Sequence, residues 1–131
     1  MNLASASDTG VSGSYARFII AGDFNIAPQD IDCHDPEAWK NNILVSPKER
    51  EAFQKIIDLG LSDNFRVINP SEIQYSWWDY RMAGFRRNLG MRIDHILTNK
   101  NITDKTTNSV IDKEPRKSER PSDHTPVVIE F

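Results

Sequence analysis

Four short stretches collect ionisable and hydrogen-bonding groups beside apolar runs: "GDFN" at 22–25, "SWWDYR" at 76–81, "RIDHIL" at 92–97 and "PSDHTPV" at 121–127. In the first, Asp23 and Asn25 follow the run "FIIA" and stand two residues apart, so in extended chain both side chains lie on one side. In the last, Asp123 and His124 precede a terminal apolar run, and a bend there would turn both toward one cleft. Carboxylate, amide and imidazole are the groups from which proton transfer and oxyanion stabilisation are built. Each stretch also has a plainer reading. Asp123 suits a turn acceptor, and His124 suits a structural histidine. Asp94 and Arg92 could form a surface ion pair of little worth, and Trp77 and Trp78 could fill a core.

Distant residues meet only if strands and helices carry them. "ARFIIAGDF" is a short continuous apolar run that reads as a buried strand. The long connection "NIAPQDIDCHDPEAWKNN" contains Asp35 and Pro36, a helix cap and first position, so a short helix through Trp39 is expected. "SPKEREAFQKIIDLG" reads as a helix covering a sheet. Ser46 and Glu49 have capping-box spacing, Pro47 opens the first turn, Ala52, Phe53, Ile56 and Ile57 form an apolar face, and Gly60 ends it. "QYSWWDY", "NSVID" and "TPVVIEF" read as further strands. "MRIDHILTN" alternates, with Ile93, His95 and Leu97 on one side and Arg92, Asp94 and Ile96 on the other. The expected class is α+β: one mixed, mostly antiparallel sheet with helices on one face.

The 131 residues suit one domain, expected over 16–131, with the Ser-, Ala- and Gly-rich residues 1–15 as a flexible leader. Apolar content of 38% and charged content of 27% fit a globular chain. No apolar run approaches a bilayer span, and the start lacks the basic and apolar regions of a signal peptide. The single Cys33 allows no internal disulfide, which points to a cytoplasmic setting and no membrane partner. The net charge of −3 is unevenly spread: residues 1–80 carry −6, residues 81–120 carry +5 and residues 121–131 carry −2. A basic stretch beside acidic ones suits a phosphate backbone held next to a metal site, or an ordinary solvated surface.

Taken in order, "GDFNIAP", "DPEAW", "YSWWDYR", "GFRRNLGMRIDHIL" and "RPSDHTPV" closely resemble exodeoxyribonuclease III, a DNA-repair nuclease and abasic-site endonuclease family. That family lies within the endonuclease–exonuclease–phosphatase superfamily, with deoxyribonuclease I-like proteins, and the likeness runs from about Ala16 to Phe131. It implies roles position by position. Asp23 polarises the attacking water or supports a metal, and Asn25 donates to the scissile phosphate. Asp94 orients His124, which contacts the phosphate or takes a proton, and Asp123 is a metal-site carboxylate. Trp77 and Trp78 line the pocket for an abasic sugar or terminal nucleotide, as does Met91, at a position that is aromatic in some relatives. Arg86, Arg87, Asn88 and Arg92 meet the DNA backbone. Oxygen ligands without a Cys–His cluster suit Mg²⁺ or Mn²⁺.

The resemblance also implies a four-layer sandwich in which each half contributes mainly one sheet, with an Asn, a Glu and a Tyr of the site in a first half. No position before Ala16 matches that half, so the chain is expected to be the C-terminal half, with little or no nuclease activity alone. Its uncovered sheet face would then meet the missing half or a second copy. A non-catalytic DNA-binding or scaffold domain, or an esterase acting on another phosphoester, would carry the same motifs.

Overall fold

The computed structural model describes residues 17–131, so the expected leader at 1–15 lies outside the described residues. Among the described residues, seven short strands and four α-helices alternate irregularly: β1 (Ile19–Asp23), α1 (Pro36–Trp39), α2 (Pro47–Ile57), β2 (Ser62–Asp63), α3 (Asn64–Ile68), β3 (Trp77–Trp78), β4 (Gly90–Met91), β5 (Asp94–Thr98), α4 (Lys100–Lys105), β6 (Asn108–Ile111) and β7 (Val127–Glu130). The α+β class is as expected. The single mixed sheet is instead three antiparallel ladders among the described residues, ordered β1-β5-β2, β3-β4 and β6-β7.

Strand β5 is the centre. Ile19 to Asp23 of β1 pair with Thr98 to Asp94, and Ser62 and Asp63 of β2 pair with Thr98 and Leu97. The helix over this ladder forms for local reasons. The Ser46 hydroxyl accepts the Glu49 N–H at the start of α2, Pro47 occupies the first turn, and Gly60 at φ +101° turns the chain away beyond the end. The expected reciprocal capping box is only half made, because the Glu49 carboxylate accepts the Leu44 N–H. The apolar face of α2 is narrower than expected: Phe53 is buried and Ile56 and Ile57 are half-buried, but Ala52 is exposed. Phe53 packs with Ile26, Leu61 and Leu97, and Ile20 and Phe24 join from the β1 side.

The expectation of a buried first strand does not hold. β1 is an edge strand, Ile19 is 44% exposed, and Ala21 is exposed on the same side as Asp23. Its apolar run reflects one packed side, with Ile20 against the α2 cluster, and one open side. Val110 and Val128, paired across β6 and β7, are also exposed. Among the described residues no helix is long and apolar enough to cross a membrane.

Candidate active site

Asp23 is the last residue of β1 and Asp94 the first of β5, and the two are directly paired in the antiparallel register. The pairing places both carboxylates on one face at one end of the ladder. His124 arrives from a third direction. Backbone bonds from Trp78 N–H to the Asp123 carbonyl (3.0 Å) and from Thr125 N–H to the Ser76 carbonyl (2.8 Å) clamp the turn before β7 against β3. The Ser122 hydroxyl accepts the His124 N–H inside that turn.

His124 Nδ1 lies 2.9 Å from Asp94 Oδ2, its Nε2 lies 3.6 Å from Asp23 Oδ2, and the same nitrogen is 4.0 Å from Asp123 Oδ1. Only the first is a hydrogen bond; the others are charge contacts, too long for direct bonding. Asp94 therefore fixes the ring orientation and favours the proton on Nδ1, which leaves Nε2 facing the opening. Asp94 is itself held: the Ser76 hydroxyl accepts the backbone N–H groups of both Ile93 and Asp94 at 3.0 Å.

Both partners of this pair ionise at higher pH than usual, which a simple ion pair would not produce. Burial raises the Asp94 carboxyl and outweighs the opposing bonds from His124 and Ser76, and the nearby Asp23 charge adds to the rise. Burial alone would lower His124, but the Asp94 bond and the charges of Asp94, Asp23 and Asp123 overcome it and raise the imidazole. Three carboxylates around one imidazole leave an excess of negative charge. Such an arrangement can hold a proton, attract a cation and pass a proton through Nε2.

Asp23, Asp94 and His124 offer ligand atoms all within 4.8 Å of one another, a group that could hold a metal ion. Two carboxylates and one imidazole without a thiolate fit a hard or borderline divalent cation. Asp123, an expected ligand, is not in that group, and its Oδ2 accepts the Trp77 indole N–H at 3.1 Å. Asn25 lies just past the strand, in the left-handed region at φ 53°, with its N–H on Asp23 Oδ1. The alternation argument that put its side chain beside Asp23 therefore stops at Asp23.

Three expected substrate contacts are interior. Trp78 is fully buried, its indole N–H bonded to Asn88 Oδ1 and its ring edge-on to Phe85. Met91 is fully buried with Ala27, Cys33, Val45 and Ile93. Arg92 is buried, its guanidinium bonded to Asp32 and Asp63 and close to His95 Nδ1, so it reaches neither DNA nor Asp94. Backbone alternation alone could not reveal these acids, which lie 60 and 29 positions away. Trp77 remains half-buried, and with His34, Trp39, Arg81, Met82 and Leu89 it lines an apolar cavity of about 460 Å³. Arg86, Arg87 and Asn88 are exposed on the 84–88 turn.

Sequence reasoning missed Ser76, which holds Asp94, and the acids Asp32 and Asp63, which neutralise Arg92. The serine has no sequence signal beyond its place before the tryptophans, and the acids have none.

An imidazole oriented by one carboxylate and flanked by others, at strand ends of an α+β scaffold, is an arrangement that can transfer protons. Residues 4–124 match the Endonuclease/Exonuclease/phosphatase family, and the chain belongs to it. It is 39% identical over 120 residues to exodeoxyribonuclease III of Haemophilus influenzae, covering 86% of this chain and 45% of the relative. It is 38% identical over 110 residues to an exodeoxyribonuclease of Bacillus subtilis, covering 83% and 42%. Its structure is similar to that of a Neisseria 3′ phosphatase, NExo, bound to a product DNA hairpin, with TM-score 0.88 and 47% identity over 90% of this chain and 46% of the other. An AP endonuclease from Archaeoglobus fulgidus is similar at TM-score 0.83 and 38% identity, over 88% and 45%. The chain spans about half the length of the relatives it matches.

Proposed function

We propose that this chain carries the histidine-bearing half of a metal-dependent DNA phosphodiesterase of repair, acting as a 3′–5′ exonuclease and abasic-site endonuclease, within a domain over 16–131 and in the cytoplasm. The observation that carries this reading is His124 seated on Asp94 with Nε2 turned to Asp23. Asp94 holds the imidazole, Nε2 moves the proton or contacts the phosphate, and Asp23 takes a proton from water or a share of a metal. Asn25 supplies an amide donor. Bound Mg²⁺ or Mn²⁺ supplies charge neutralisation on phosphate oxygens. Asp23 and Asp94 would hold it, with Asp123 beside them.

Arg86 and Arg87 meet the DNA backbone as planar donor forks, and Asn88, its carbonyl committed to Trp78, retains its amide donors for the same strand. The Trp77 cavity takes the sugar or terminal nucleotide. The open side of β1 takes the rest of the sandwich, either a complementary half or a second copy of this chain. The 131 residues alone therefore cleave slowly.

The test is a labelled abasic duplex with Mg²⁺, using the full chain and His124→Ala. Slow, metal-dependent cleavage that falls by about 10²–10⁴-fold in the variant is expected. Cleavage at rates matching a full-length relative overturns the half-enzyme reading. Equal DNA binding by both proteins with no metal-dependent cleavage replaces the enzyme with a scaffold.

A further inference from the structure

A buried guanidinium without a carboxylate needs a reason, because an unpaired charge is costly to desolvate. Arg116 is such a group. It is 7% exposed, makes no ion pair among the described residues, and its Nε has no hydrogen-bond partner. Its charge is instead faced by three aromatic rings: Phe85 at 4.8 Å, Tyr80 at 5.6 Å and Trp78 at 5.8 Å from the guanidinium carbon. Desolvated cation–π contacts of this kind are individually significant. Among the described residues, the one directed bond left to its side chain runs from Nη1 to the Ser122 carbonyl at 3.0 Å.

Ser122 begins the turn that presents Asp123 and His124. The same aromatic segment grips that turn elsewhere: the Tyr80 hydroxyl donates to the Pro121 carbonyl, the Trp78 N–H to the Asp123 carbonyl, and the Trp77 indole to Asp123 Oδ2. We propose that Arg116 is a positioning residue, seated in the Trp78–Tyr80–Phe85 cage, that holds the Ser122 carbonyl and so sets His124 against Asp94 and Asp123 against Trp77. Two cage walls, Tyr80 and Phe85, bracket the loop that continues into Arg86 and Arg87. The guanidinium thus joins the basic loop to the histidine turn. The inference rests on His124 being the reacting group, but its test does not require catalysis.

The experiment uses the full chain with Arg116→Lys, Arg116→Met, Tyr80→Leu and Tyr80→Phe, followed by amide hydrogen exchange and NMR. In Arg116→Met, exchange at the Trp78 and Thr125 amides rises about tenfold while the β1–β5 ladder is unchanged. The Trp77 indole N–H signal moves toward its free position and the His124 Nδ1–H signal is lost. Arg116→Lys behaves like Arg116→Met, because an ammonium lacks the planar fork that both stacks and donates. Tyr80→Leu, at an exposed wall, gives a smaller change of the same kind, read against Tyr80→Phe, which loses only the Pro121 bond; a larger change in Tyr80→Leu than in Tyr80→Phe decides the matter if the Arg116 variants do not fold, and equal changes overturn the proposal. Wild-type signals in a folded Arg116→Lys protein overturn the proposal, as does faster exchange spread evenly over the ladder. Loss of cleavage in His124→Ala tests the nuclease reading separately.

Discussion

Residues 92–95, Arg-Ile-Asp-His, feed two charge clusters of opposite design. The buried one joins Arg92 to Asp32 at 2.7 Å and to Asp63 at 2.5 Å, with Arg66 on Asp32 at 2.6 Å. Two guanidinium groups meet two carboxylates, so charge is balanced. Burial would raise Asp63, but the Arg92 hydrogen bond and charge, with smaller help from His95 and the Arg66 backbone, together hold that carboxyl low. Burial and the Arg92 charge push the neighbouring His95 down to about 4, so it stays neutral, wedged between Phe24 and Phe53 with Nε2 on the Ile26 carbonyl. The open cluster sets three carboxylates around His124, and among the described residues no guanidinium is bonded to any of them. Balance marks the cluster that holds the loop after "GDFN" to β2 and β5. Imbalance marks the cluster available to a proton or a cation.

Removing one member from each cluster tests this contrast, and the largest effect belongs to the buried one. Arg92→Met leaves Asp32 and Asp63 without their shared cation and should cost about 3–5 kcal/mol in urea unfolding. Replacing Asp63 by Leu in the same protein, which leaves Asp32 paired with Arg66, should recover part of that loss. A cost below about 1 kcal/mol for the single change would erase the distinction between the clusters.

The histidines of the two clusters, His95 and His124, give the next test, because their pH slopes have opposite signs. The unfolded chain binds a proton to His95 more readily than the native state does, so stability falls as pH drops from about 6.5 to about 4, by about 3 kcal/mol. His95→Gln should remove that part of the acid sensitivity, seen by comparing unfolding curves at pH 7 and pH 4. His124 is raised in the native state. Its contribution is fully present below the ordinary imidazole range and is lost as pH rises through the raised value. Matching slopes in the His95→Gln and wild-type proteins would contradict the assignment of His95 as the buried neutral partner.

The smallest effect on stability is expected in the open cluster. Asp23→Asn should change unfolding free energy by no more than about 0.5 kcal/mol, since it removes an exposed like charge. It should also lower the NMR titration of His124 toward the ordinary value, by less than Asp94→Asn does. A large stability loss in Asp23→Asn would mean that the open cluster is structural after all.

The site was more legible in the sequence than the sheet. Asp23, Asp94 and His124 sit in short motifs, and the structure brings them together across about a hundred positions. The helix α2 was legible because its signals are local: the Ser46 cap, Pro47, and an apolar stripe centred on Phe53. The division into three ladders was not, because strand breaks such as the one between Met91 and Asp94 depend on partners distant in sequence. Trp78, Met91 and Arg92 were misread for the same reason. A residue type suited to DNA is equally suited to the interior when a partner such as Phe85, Val45 or Asp63 meets it there.

By itself the sequence determined which functional groups this protein owns and the local elements that carry them, because caps, turns and apolar periods act over a few residues. Only the tertiary structure decided which charges are neutralised and which stay open. That outcome depends on which carboxylate meets which cation after the chain has folded back on itself, and burial multiplies the difference between a paired charge and a free one.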